Sequence, residues 1–124
     1  MKERKIWTYD EVMEIFPLVR ELTEQYYYSV KELEKAFKET IIPENEMEKL
    51  EDEIGALKKE WVEEMYDIGA EIKGLWLVDF DHGSGYYCWK VGEKTLMYEH
   101  TYEEGFAGRK PIQTIKEEDE DDTR

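Results

Sequence analysis

Cysteine occurs once in this chain of 124 residues, so no internal disulfide can form. The length does not call for one. A domain of this size buries roughly two thirds of the surface its unfolded chain exposes, enough for a core without a covalent or metal staple. No apolar run approaches the ~18 residues of a membrane span, and the residues after Met1 lack the basic, apolar and small-residue order of a secretory leader. The expectation is a single soluble domain of the cytoplasm. Basic residues are scarce too: 17 Lys and Arg against 32 Asp and Glu leave a formal charge of −15. Nucleic-acid affinity rests on Lys and Arg displacing counterions, so such a surface argues against nucleic acid and against anionic membranes as partners. The deficit is uneven, with +2 over residues 1–7 and −11 over residues 8–68.

What is present begins at Thr8. Thr8-Tyr9-Asp10-Glu11 is a capping box, in which the side chains at either end satisfy each other's orphan amides, and it opens a helical pattern. Pro17 interrupts that pattern, since it cannot donate a mid-helix hydrogen bond. The expectation is a short helix, then a long one with Pro17 in its first turn. Ile15, Val19, Leu22, Tyr26, Val30, Leu33 and Phe37 follow at spacings of three and four and form one apolar seam. Pro43 breaks the chain and starts a second helix, whose seam is Met47, Leu50, Ile54, Leu57, Trp61, Met65 and Ile68. Gly69 is placed to close it. Two such helices joined by a short break lie antiparallel. Val12, Phe16, Tyr27 and Tyr28, with Val62 and Tyr66, add apolar surface beyond the seams, from which a homo-oligomer through the helices is expected.

After Gly74 the period falls to two. Trp76, Val78 and Phe80 alternate with Leu77, Asp79 and Asp81; His82-Gly83-Ser84-Gly85 turns; residues 86–91 and 95–101 form two further strands. Pairing the first two strands across the turn sets Asp79 opposite Cys88 and gathers Trp76, Val78, Phe80, Tyr87, Trp89 and Val91 on the face toward the helices. With apolar residues kept inward in the second hairpin, Leu96 and Tyr98 join that face and His100 follows to its edge. The fold class read from this pattern is α+β: a long antiparallel helical hairpin over 8–68, preceded by a short helix and packed on a three-stranded antiparallel β-meander within 70–101. A Gly-rich ordered loop over 102–115 completes one domain, 1–115, and 116–124 reads as a disordered acidic tail.

The chemistry concentrates in residues 77–112, which hold the cysteine, both histidines and five of the eight glycines. Asp79, Cys88, Glu93, Glu99 and His100 are the residue types a divalent transition metal prefers, with Asp79 and His100 the first candidates. Arg109, on the glycine-hinged loop, is suited either to a structural pair with a carboxylate or to gripping a small anionic ligand. Asp79 to Lys90 fails as a calcium loop, because Ser84 and Lys90 stand where Gly and Glu are required. The glycine pairs are turns, since neither lies between a strand and a helix N-terminus as a phosphate-cradling loop does. Cys88 with His100 is a poor nucleophile pair, being in mid-strand with no orienting third residue.

Leu77-Val78-Asp79-Phe80, Cys88-Trp89-Lys90-Val91-Gly92-Glu93, His100 and Gly105-Phe106-Ala107-Gly108-Arg109-Lys110-Pro111 resemble the motifs of an uncharacterised prokaryotic family, DUF2203. The likeness runs over residues 8–112 and is specific from Leu77 onward. In this chain Trp76, Glu99 and Thr101 stand where the family pattern has Gly, Trp and Glu. The resemblance implies the domain boundaries and the same candidate residues, and brings no activity with it. The function expected from the residues is a non-catalytic interaction or small-ligand-binding module. The alternative is a metal-dependent or acid–base enzyme using Asp79, His100 and a neighbouring carboxylate.

Overall fold

The computed structural model describes residues 4–39 and 41–112; the expected acidic tail and the end of the 102–115 loop lie outside them. Helices α1 (Tyr9–Glu39) and α2 (Glu44–Ile68) form the hairpin, and strands β1 (Glu71–Gly74), β2 (Leu77–Asp81), β3 (Tyr86–Lys90), β4 (Tyr98–His100) and β5 (Lys110–Pro111) form one antiparallel sheet in sequence order. The ends of the helices are written in the sequence. Thr8 accepts from the Glu11 amide at 3.1 Å while Glu11 accepts from the Thr8 amide at 2.9 Å, and Gly69 closes α2 with φ 106°.

The expected short helix is instead the first part of α1, which runs through Pro17 unbroken. Proline in a helix interior costs about 3 kcal/mol. Val12, Phe16 and Val19 are 0%, 4% and 0% exposed, and burying side chains of this kind contributes roughly 1.5–3 kcal/mol each. Packing therefore outweighs the lost hydrogen bond, and Pro17 stays on the solvent side. Apolar surface expected to be free for an oligomer is used in the same way: Phe16 meets Trp89 edge to face at 5.4 Å and Tyr27 meets Trp76 at 5.5 Å.

Among the described residues the sheet has five strands, not three. Residues 71–74 read as a lead-in because four residues are too few to show alternation, yet they pair with β2 after a turn in which Trp76 takes φ 64°. Lys110–Pro111 pairs with β4. The β2–β3 register is the expected one, Asp79 opposite Cys88, with Val78, Phe80, Tyr87 and Trp89 in the core. The β4 register corrects the expectation by one residue: His100 lies opposite Tyr86 and Tyr98 opposite Cys88. Regular pairing starts only at Tyr98, so Leu96 still turns into the core at 2% exposure while Tyr98 and His100 face away from the helices, alongside Asp79 and Cys88.

The N-terminal segment is part of the structure from Arg4. Trp7 is buried, donates its amide N–H to the Asp81 carbonyl at 2.7 Å and its indole N–H to the Gly69 carbonyl at 3.1 Å, and meets Phe80 edge to face at 5.3 Å. No helix among the described residues is long and apolar enough to cross a membrane.

Candidate functional site

The alternation of β2 and β3 puts Asp79 and Cys88 side by side on the face away from the helices, and the shifted register of β4 brings His100 to them. All three are buried, at 2%, 0% and 6% exposure. One ligand atom from each lies within 4.8 Å of the other two. Above them the 102–112 segment folds back: the Arg109 guanidinium lies 4.3 Å over the Tyr98 ring and 4.0 Å over Phe106.

The hydrogen bonds of His100 define which nitrogen faces the cluster. Nδ1 is 2.7 Å from the Thr101 carbonyl oxygen, which only accepts, so Nδ1 carries the proton. In a neutral ring Nε2 is then an acceptor, and it points at Asp79 Oδ2 at 3.2 Å. Two acceptors at that separation need either a shared proton or a metal ion between them. The carboxylate's other oxygen, Oδ1, is buried without a hydrogen-bond partner, and a buried polar atom left unpaired costs about 1–3 kcal/mol. A histidine that donates one ring N–H to a carbonyl and turns the other nitrogen to a carboxylate matches the usual support of a metal-ligating imidazole.

Cys88 completes the group. Burial pushes its thiol up, and the Asp79 carboxylate beside it pushes in the same direction. A catalytic cysteine needs the opposite shift and an approach from solvent. In the protein as it stands Cys88 is a protonated small side chain, which a soft metal can deprotonate by coordination.

Glu93 and Arg109 do not join the cluster as free ligands. Arg109 makes a two-pronged pair with Glu93, at 2.9 and 2.7 Å, and Glu93 Oε1 also accepts the Lys90 amide at 2.8 Å. The arrangement ties the 102–112 loop to the β3–β4 turn. Glu99 turns to the other face, where it lies 3.2 Å from His82 Nε2. A cavity of about 280 Å3 opens beside this pair and reaches His100, its lining including Glu104 and Lys110.

A family model described as an uncharacterized conserved protein, DUF2203, matches residues 5–112. The chain belongs to the DUF2203 family. No curated protein and no solved structure matches it. The matched span takes in both helices and all five strands, together with Asp79, Cys88 and His100.

One cluster of this DUF2203 chain was not legible in its sequence. Asp81, 2% exposed, accepts from Arg4 Nε at 2.5 Å through Oδ2, and from the Tyr102 hydroxyl at 2.7 Å and the Gly83 amide at 2.9 Å through Oδ1. Burial alone would raise the Asp81 carboxyl; the bonds from Arg4, Gly83 and Tyr102 outweigh it and hold it below the usual range. The available signal was the +2 charge of the lead residues in an acidic chain.

Proposed function

We propose that this domain is a non-catalytic ligand-binding module whose ligand is a divalent metal ion of the zinc class, held by Asp79, Cys88 and His100. The observation that carries the reading is the pairing of an unpartnered, buried carboxylate oxygen with an imidazole nitrogen already oriented toward the same carboxylate. One oxygen, one sulfur and one nitrogen form a donor set that selects zinc and its neighbours over magnesium or calcium. Tetrahedral zinc with bonds of about 2.0–2.3 Å sets its ligand atoms about 3.3–3.6 Å apart. The Asp79–His100 separation of 3.2 Å is close to that edge, and the 4.8 Å limit on the set asks for a contraction of about 1 Å. The charges also balance, since a dication meets one carboxylate and one thiolate while Arg109 is answered by Glu93.

Burial of Asp79 and Cys88, at 2% and 0% exposure, supports the non-catalytic half of the reading, because a reacting substrate must reach the ion and of the three only His100 lines the cavity of about 280 Å3. The carboxylates an acid–base enzyme would need beside Asp79 and His100 are engaged elsewhere, Glu93 with Arg109 and Glu99 near His82. A homo-oligomer built through the helices would use Leu18, Tyr28 and Tyr66, which are 45%, 63% and 47% exposed; light scattering that returns the mass of one chain removes that part of the reading.

The test is titration of chelator-treated protein with Co(II) and Zn(II). One equivalent of Co(II) should give tetrahedral d–d bands and a thiolate charge-transfer band, both displaced by zinc. Zinc at about 100 times its Kd should add about 2.7 kcal/mol of stability. Cys88→Ser should abolish the charge-transfer band and His100→Ala should abolish stoichiometric uptake. Protein that takes up neither ion and melts identically with and without zinc refutes the proposal.

A further inference from the structure

On the sheet edge beyond Asp79, the Arg4–Asp81–Tyr102 cluster forms one wall of a cavity of about 710 Å3, whose other walls include Lys5, Glu71, Tyr66 and Tyr86. That volume lies within the usual span of small-molecule sites, about 300–1,000 Å3. Arg4 is held in an unusual way for an exposed side chain. It is 61% exposed, yet its Nε is bound to the buried Asp81 and one terminal nitrogen donates to the Tyr102 hydroxyl at 2.8 Å. A free surface arginine loses rotamer entropy when it is fixed. Here a buried carboxylate and a phenol fix it beforehand, and a guanidinium carries five N–H donors, of which these bonds use two.

The acidic groups of the cavity are answered within the protein. Asp81 has both oxygens bonded. Glu71 accepts from the Tyr86 hydroxyl at 3.2 Å and has the Lys73 ammonium at 3.9 Å. Lys5 stands at the rim as a second cation, 4.4 Å over the Trp7 ring. The remaining surface is aromatic: Tyr86 and Tyr102 meet edge to face at 5.2 Å, with Tyr66 on the α2 side. The chain's charge of −15 disfavours a multiply charged anion, while a single carboxylate matches the fork of one guanidinium.

We infer that this cavity binds a small monocarboxylate with an apolar or aromatic body, its carboxylate on Arg4 and its body among Tyr66, Tyr86 and Tyr102. The inference is independent of the metal reading.

The experiment is amide NMR of the full chain titrated with phenylacetate, inorganic phosphate and benzylamine, with Arg4→Lys and Lys5→Ala as variants. Arg4→Lys keeps the charge over Asp81 but loses the fork, so the fold is preserved where Arg4→Ala could lose it. Phenylacetate should shift the Gly69, Ala70 and Glu71 amides saturably, and Arg4→Lys should weaken it at least fivefold; Lys5→Ala should weaken it less. Phosphate that shifts the same amides as strongly would show a ring-independent anion hook, and benzylamine that does so would show a cation site; either overturns the assignment. So does phenylacetate that leaves these amides unmoved, or that binds Arg4→Lys as tightly as the parent.

Discussion

Replacing Gly85 by alanine tests how His100 is positioned. A Cβ built on Gly85 lies 2.4 Å from the His100 carbonyl oxygen and 3.3 Å from the Thr101 Cα. The closest ordinary carbon–oxygen approach is about 3.3 Å, so the methyl is about 0.9 Å too near. The atom it meets is backbone and cannot rotate away, so β3 and β4 must part where Tyr86 faces His100. Overpacking of this kind costs about 1–3 kcal/mol, and a ladder hydrogen bond lost with it adds about 1 kcal/mol. For a domain of this length about 4 °C of melting temperature corresponds to each kcal/mol, which gives a fall of about 8–16 °C. Gly55→Ala serves as the control in the same thermal scan. Gly55 sits inside α2 with nothing within 4 Å of its added Cβ, and alanine there should stabilise by about 0.4–1 kcal/mol. The displacement of His100 in Gly85→Ala should also weaken Co(II) binding at least tenfold. If Gly85→Ala melts with the parent and binds cobalt equally well, the close β3–β4 approach does not position the histidine and the reasoning fails.

Leu96→Ala should destabilise by about 2–5 kcal/mol in urea unfolding while its neighbour Met97→Ala changes little, because Leu96 is 2% exposed and Met97 41%; equal effects would contradict the inward turn of Leu96 ahead of β4. Thr8→Ala should cost about 1 kcal/mol through the lost cap of α1, measured by the same denaturant midpoint. The Tyr26 hydroxyl is pushed up to about 12, first by its hydrogen bond to Glu64 and then by burial. Its folded value lies above the unfolded one, so its contribution to stability is complete below the ordinary phenol value and is lost as pH rises through the folded one; the Tyr102 hydroxyl is also raised, by burial and its bond to Asp81, so tyrosinate absorbance of Tyr26→Phe should lose one late-titrating phenol relative to the parent.

The sequence announced what local chemistry controls. Thr8 and Glu11 cap α1 as a reciprocal pair, and Gly69 supplies the left-handed residue that ends α2. Asp79 faces Cys88 because a period of two across a four-residue turn leaves one register that buries Val78 and Trp89 together. What sequence alone did not reveal depends on contacts between distant segments. The continuity of α1 through Pro17 rests on burial of Phe16 against Trp89, a residue of β3. The short strands β1 and β5 carry too little alternation to be seen, and the parity of β4 changes between Leu96 and Tyr98, which reversed the expected side of His100. The cavity cluster joins Arg4 to residues 77 and 98 positions away, so its existence follows from docking the N-terminal segment and not from any local pattern.

The sheet supports only part of the helical hairpin. Within the helices the buried side chains run from Val12 to Val30 and from Ile54 to Met65; between them Leu33, Phe37 and Leu50 are half-covered, and Ile41 at the tip is 98% exposed. Two helices that far from the core hold each other by a narrow contact, so the tip should open independently of the rest. Deuterium should enter the amides around residues 35–50 well before those of β2 and β3, and a protease should cut near Ile41 while leaving the body that carries Asp79, Cys88 and His100 intact.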